Sequence, residues 1–153
     1  MIDTLNKTDI IILKLLQDDS SLSNKQIAGI LNKSSTTVSN RIKLLKAKGF
    51  IVKTIAILDP FKLNQKIHGY LYLALKDATE KAAGRFKEEV TQIKGIREYT
   101  KIGSRLNVKL KVITQDMSSF ASIIQKITNL EGVKDLESYV VYETIIMDSG
   151  ISF

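Results

Sequence analysis

The 153-residue chain has no cysteine, one proline, one histidine and, between Ser20 and Leu58, not one Asp or Glu. Each absence narrows what the protein can be. Without cysteine there is no disulfide framework and no thiolate-ligated metal site, which fits a reducing compartment. With His68 as the single histidine, and with no Ser/His/Asp set and no Gly-rich phosphate loop, no catalytic constellation stands out and no cofactor or metal is expected. No apolar run approaches the ~18 residues needed to cross a bilayer. The start, Met1-Ile2-Asp3-Thr4, has neither a basic n-region nor an apolar h-region. A cytoplasmic protein with no membrane partner is expected.

Against those absences stands positive charge. The acid-free stretch holds seven basic residues, Lys25, Lys33, Arg41, Lys43, Lys46, Lys48 and Lys53. The whole chain carries a net charge of +7, with a pI near 9.5. Beyond residue 60 both signs are interspersed, as in Lys87-Glu88-Glu89, which reads as a solvated surface. Before it they are segregated: the acids are Asp3, Asp9, Asp18, Asp19 and Asp59, all outside the basic stretch. A one-sign stretch of that length on a folded module points to a polyanionic partner.

The proline, Pro60, separates two hydrophobic periods. Before it, apolar residues recur at three and four. Asn6 is placed to cap a first helix with Ile10, Leu13 and Leu16, flanked by Ile11 and Leu15, inward. Ser23-Asn24-Lys25-Gln26 is a capping box by residue type, opening a second helix with Ile27, Ile30 and Leu31 inward. Ser34 caps a third helix, which runs to Lys48 and stops at Gly49. Phe50 to Leu58 is rich in β-branched residues and reads as a strand, either a connector or a wing.

After Pro60 a weak internal repeat appears. A strand from Gly69 to Lys76 leads to a helix on Ala83, Phe86, Val90 and Ile93, then Gly95-Ile96 and a strand through Tyr99 and Ile102. A strand from Val108 to Ile113 leads to a helix on Phe120, Ile123, Ile124, Ile127 and Leu130, then Gly132-Val133 and a strand through Tyr139, Val141 and Ile145. Two tandem βαβ units predict an antiparallel four-stranded sheet with both helices on one face, a ferredoxin-like sandwich. Because Tyr70, Tyr72 and Ala74 alternate with Leu71, Leu73 and Leu75, both faces of the first strand read as apolar, which predicts self-association. The expected fold class is α+β: a winged-helix-like helix-turn-helix domain at residues 1–50, a connecting strand and linker at 51–66, a βαββαβ domain at 67–148 and a tail at 149–153.

The third helix carries the candidate chemistry. With Val38 at the centre of its buried side, Ile42 and Leu45 fall beside it, and Thr36, Asn40, Lys43 and Ala47 fall opposite, with Thr37 and Ser39 on the flanks. Amide and hydroxyl side chains can pair with base edges, Lys43 can reach a guanine or a phosphate, and small Ala47 lets a helix lie close to a groove floor. Ser35 sits at the exposed start of the same helix. Arg41 lies nearer the buried side, where it either braces the fold or touches phosphate, and Lys25, Lys46, Lys48 and Lys53 are phosphate candidates.

These residues resemble a known family. Leu5, Asp9, Leu13 and Leu16, then Ser34-Ser35-Thr36-Thr37-Val38-Ser39-Asn40-Arg41-Ile42 with Leu45, Gly49 and Ile51, are similar to the amino-terminal domain of the Lrp/AsnC (feast/famine) transcription regulators. The βαβ region, including Ile93-Lys94-Gly95-Ile96 and Gly103, resembles that family's ligand-binding and oligomerisation (RAM, ACT-like) domain. The resemblance implies a sequence-specific regulator that binds double-stranded DNA as a homodimer, assembled further into tetramers or octamers and nucleoid-associated. It also implies a small effector, commonly an amino acid, near a glycine-led loop, here Gly103-Ser104-Arg105-Leu106-Asn107. The loop departs from the family pattern: Asn107 stands at the aspartate position and one residue is inserted. A neutral amide is a weaker acceptor for an ammonium than a carboxylate, while Arg105 favours a carboxylate or another anion. A plain β-turn with no ligand is the alternative reading of the loop.

Two rival functions share these features. Siroheme decarboxylases have the same two-domain build but depend on histidines, of which this chain offers only His68. An architectural protein that coats DNA with little sequence preference would also suit the +7 charge.

Overall fold

The computed structural model describes residues 5–77, 79–143 and 150–151. The chain forms two compact units, one reaching to Ile57 and including the described tail residues, the other beginning at Leu58 and containing the whole sheet.

The first unit holds α1 (Lys7–Asp18), α2 (Asn24–Leu31) and α3 (Ser35–Ala47). Every helix start is capped by a side chain. Asn6 Oδ1 accepts from the Asp9 amide at 2.9 Å while the Asp9 carboxylate accepts from the Asn6 amide at 3.2 Å, and Ser23 and Gln26 form the same reciprocal box at α2. Ser34 Oγ accepts from the Thr37 amide at 3.1 Å. The turn between α2 and α3 is made by Asn32 in the left-handed region (φ 52°), a conformation that Asn tolerates better than most residues.

The core of this unit is Ile12, Ile27, Ala28, Val38 and Leu45. Two helix faces differ from those read in the sequence. On α1 the centre is Ile12, fully buried, while Ile11 is 42% exposed. Ile10 to Leu13 is an unbroken apolar run, so periodicity does not set its phase; buried Asp9, 60° from Ile12 around the helix, does. On α2, Ile30 is 59% exposed, because Ile27, Ala28 and Leu31 centre the buried face about 100° away from it.

The segment from Phe50 to Leu58 forms no strand among the described residues, and Val52, Ile55, Ile57 and Leu58 are exposed. Its β-branched composition describes side chains that fit a sheet; a strand also needs a neighbour to take its backbone hydrogen bonds, and none is described here.

The second unit runs β1 (Ile67–Leu75), α4 (Glu80–Thr91), β2 (Ile96–Lys101), β3 (Val108–Thr114), α5 (Met117–Thr128) and β4 (Val133–Val140). All pairings are antiparallel and the strand order is β2-β3-β1-β4, the ferredoxin-like arrangement. The first strand begins two residues earlier than Gly69 and ends at Leu75; the last ends at Val140, with Val141 still donating to the His68 carbonyl at 2.8 Å. Ile145 lies outside the described residues. Gly95 (φ +105°) and Gly132 (φ +93°) make the equivalent turns after α4 and α5, in a region that side-chain-bearing residues rarely adopt.

Alternation sorts the sheet into two faces. Leu71, Leu73, Val108, Leu110 and Val112 point under the helices and pack on Phe86, Val90, Phe120, Ile123 and Ile127. The open face is less apolar than the first strand alone suggests. Cross-strand register sets Tyr70 beside Lys111 and Tyr139, and Tyr72 beside Lys109 and Glu137. Lys109 Nζ pairs with Glu98 at 2.8 Å and lies over the Tyr70 ring at 5.6 Å. This face is a tyrosine centre with a rim of both charges.

Replacing Ile12 by Ala should destabilise the first unit by about 2–5 kcal/mol, whereas Ile11→Ala should cost under about 1 kcal/mol. Urea unfolding followed by circular dichroism separates the two, and equal losses would place the face of α1 elsewhere.

Candidate nucleic-acid interface

On α3, Val38 and Leu45 are buried and Ile42 is half-buried, which fixes the opposite side toward solvent. Thr36, Asn40, Lys43 and Ala47 are all exposed along that side, with Ser35 and Thr37 exposed at the helix start and Ser39 half-buried on the flank. The Thr37 hydroxyl, exposed, is in contact with the capping Ser34 Oγ at 2.8 Å. Lys25, Lys46, Lys48 and Lys53 are all exposed, Lys25 in the first turn of α2, Lys46 in the last turn of α3 and Lys53 beyond it; Lys46 and Lys53 border a groove that the stripe does not line. Lys33, in the turn between α2 and α3, is a further exposed cation missing from that set, although it belongs to the same acid-free stretch.

Of the two roles open to Arg41, the structure shows the brace. Its Nε donates to Asp9 Oδ1 at 2.8 Å and its Nη2 donates to Asp9 Oδ2, a two-bond fork from the middle of α3 to the first turn of α1. Asp9 is 4% exposed. The guanidinium holds its carboxyl below the usual aspartate range against the opposing pull of burial, helped by the Asn6 amide and more weakly by Lys48. Among the described residues of this unit, the one buried acid is thereby paired.

A groove of about 890 Å³ in the first unit is lined by Leu13, Leu16, Ile42 and Phe50 with Asp18, Asp19, Lys46 and Lys53 at its edge, and includes none of Thr36, Asn40 and Lys43.

In the second unit the loop between β2 and β3 is closed by the Ile102 amide donating to the Asn107 carbonyl at 2.9 Å. Arg105 is exposed but already engaged by carboxylates. Its Nη1 donates to Asp135 and its Nη2 donates to Glu137 Oε1 at 2.9 Å, while Glu137 Oε2 accepts from the Tyr139 hydroxyl at 2.6 Å. Two carboxylates, 30 and 32 residues downstream, already pair with the cation and compete with a ligand carboxylate for it. Asn107 Oδ1 is buried with no partner. Tyr70, Tyr72, Ile102, Ser104, Leu106, Glu137 and Tyr139 surround a cavity of about 360 Å³ beside the loop.

His68, half-buried, stacks on Phe61 with ring centroids 5.5 Å apart. Among the described residues no group of three or more His, Cys, Asp or Glu could hold a metal ion, and no helix is long and apolar enough to cross a membrane.

Residues 5–52 match the family described as winged helix-turn-helix DNA-binding, and residues 70–151 match the Lrp/AsnC ligand binding domain. The chain is 30% identical over 150 residues to the proline dehydrogenase transcriptional activator of Rhizobium radiobacter, covering 97% of this chain and 96% of that protein. It is 27% identical over 142 residues to the leucine-responsive regulatory protein of Escherichia coli K12, covering 92% and 87%. A transcriptional regulator of Neisseria meningitidis, solved in complex with L-methionine, shares the fold at a TM-score of 0.90 and 23% identity over 97% of both chains. Escherichia coli AsnC does so at 0.84 and 19%, over 94% and 96%.

A capped three-helix unit with an acid-free polar stripe, followed by a ferredoxin-like ligand-binding domain, defines a two-domain DNA-binding transcription regulator. The chain belongs to the Lrp/AsnC family.

Because the Asp9 carboxyl is held low in the folded unit, folding favours its ionised form. That stability is fully present above the unfolded carboxylate value of about 4 and is lost as pH falls through the lower folded value. Thermal unfolding between pH 7 and 2 should therefore show the Asp9→Asn variant starting lower and falling less steeply in acid than the parent. Parallel curves would contradict the assignment.

Proposed function

We propose that this regulator reads a specific DNA sequence with Thr36, Asn40 and Lys43, flanked by Ser35, Thr37 and Ser39, while Lys25, Lys46, Lys48 and Lys53 hold phosphates. The supporting observation is the exposure of that polar stripe, opposite buried Val38 and Leu45, in a unit whose core acid is already paired. Amides and hydroxyls on one helix face are the donors and acceptors that major-groove base edges require. Residues 1–50 are the reading domain, 51–66 the connection, and 67–148 the domain for assembly and ligand.

The working form is a homodimer through the βαβ domains, built further into tetramers or octamers. The open sheet face supports this: tyrosines are favoured at the centre of protein interfaces, and a rim with both Lys109 and Lys111 and Asp135 and Glu137 can meet its own copy across a twofold axis. Two recognition helices so related reach half-sites about one helical turn, ~34 Å, apart or a multiple of it.

A small effector of the amino-acid class acts at the loop from Gly103 to Asn107. The unpartnered, buried Oδ1 of Asn107 is an acceptor that a ligand ammonium satisfies, more weakly than an aspartate would. The Neisseria regulator holds L-methionine and the Escherichia coli relative is named leucine-responsive, which supports the ligand class. The protein works in the cytoplasm on the nucleoid and carries out no chemistry of its own.

Gel shifts with a site selected by the parent protein from random DNA test the division of labour. Asn40→Ala should lose about 1–3 kcal/mol of discrimination, while Lys48→Ala should weaken all DNA similarly and flatten the salt slope by about one. A parent specificity ratio near one would favour a DNA-coating protein instead. In equilibrium sedimentation Tyr70→Asp should shift the assembly toward monomer; an unchanged assembly would place the interface elsewhere.

A further inference from the structure

Arg41 is next to Asn40 in the sequence, on the helix proposed to read bases, and spends its guanidinium on Asp9 of α1. We propose that Asp9 and Arg41 are a positioning pair that sets the rotation of α3 about its own axis, so that Arg41 governs which bases are read without contacting DNA; this rests on the reading of Thr36, Asn40 and Lys43 as base-contacting.

The case is geometric. α3 is held to its unit by only two fully buried side chains, Val38 and Leu45, with Ile42 half-buried. Apolar burial sets which side of α3 faces solvent, but it is non-directional and tolerates small rolls that a directional bond does not. A planar fork closing two bonds on one carboxylate is directional. With side chains a helix is ~10–12 Å across, so a roll of about 15° carries an outward group ~1.5 Å sideways, enough to break a base-edge hydrogen bond.

The carboxylate is also a fixed point. It is 4% exposed and accepts from the Asn6 amide at 3.2 Å, while the Asp9 amide donates to Asn6 Oδ1 at 2.9 Å. The fork therefore references α3 to the capped first turn of α1. Opening the pair would strand a buried charge, so the linkage stays closed. It also keeps the Arg41 charge away from phosphates, leaving non-specific binding to the lysines.

The test compares Asp9→Asn, Arg41→Lys and Asn40→Ala in the full-length protein. Each is checked for native circular dichroism at the assay temperature and titrated against a selected site and against random DNA over a salt series. A positioning pair predicts that Asp9→Asn and Arg41→Lys each lower the specific-to-random affinity ratio about tenfold or more. Random-DNA affinity is then held or raised in Asp9→Asn, whose Arg41 is released. The double variant should lose no more discrimination than either single change.

Arg41→Lys keeps the charge and lies on a half-exposed side, so it remains informative if Asp9→Asn fails to fold. A ratio within about twofold of the parent in folded Arg41→Lys overturns the proposal, and so does a uniform loss on all DNA with the ratio kept, the signature of a direct phosphate contact. If Asn40→Ala alters the ratio and these variants do not, only the positioning role falls. If Asn40→Ala leaves it unchanged too, the base-reading assignment falls with it.

Discussion

A carboxylate that is 4% exposed constrains everything around it. Stranding such a charge inside a protein costs several kcal/mol, so Asp9 requires a cation with good geometry, and Arg41 supplies it. Meeting that requirement joins the first and third helices. With Asp9 turned inward, Ile12 follows it into the core and Ile11 is carried outward; with Arg41 turned back, Asn40 and Lys43 face solvent. A well-packed apolar pair in the same place can match a buried ion pair for stability. What the ion pair adds is direction, and a recognition helix depends on direction more than on tightness.

The second unit applies a different constraint. β1 is flanked on both sides, by β3 and β4, so its alternation governs both faces of the sheet. Leucines go under the helices and tyrosines go to the open side, where Lys109, Glu98 and the Arg105 cluster surround them. An all-leucine open face would pair with any apolar surface. Tyrosines within a charged rim restrict the partners to surfaces of complementary charge, and a twofold copy of the same face is one.

Local chemistry was legible in the chain and distant chemistry was not. Asn6, Ser23 and Ser34 act through backbone amides three residues away, so residue type and spacing suffice to read all three caps. The strands of the βαβ repeat show because alternation and turn glycines are also local. Arg105 illustrates the opposite case: from its loop it looks like an anion receptor, and only the fold brings Asp135 and Glu137 to it. The same limit applies at residues 50–58, whose β-branched composition cannot supply a pairing partner. On α1, four consecutive apolar residues concealed the phase, and the buried acid that sets it has a partner 32 positions away. Of the candidate reading site, the outward face of α3 was legible from Val38 and Leu45, while the commitment of Arg41 was not.

Withdrawing Arg41 from the pool of phosphate-binding cations changes how the acid-free stretch works. On the proposed reading Lys25, Lys46, Lys48 and Lys53 hold phosphates, and four contacts give a salt slope of roughly −3.6 for one copy. Such a slope means modest affinity at physiological salt. Two copies on one duplex double the slope, and the second binding event becomes intramolecular. On that reading affinity is set by assembly in the sheet domain and discrimination by the angle of α3, and the two can be tuned separately. On the same reading, a ligand that alters how sheet domains associate changes occupancy of DNA without touching the reading helix, which lets a βαβ domain regulate a gene from outside the groove.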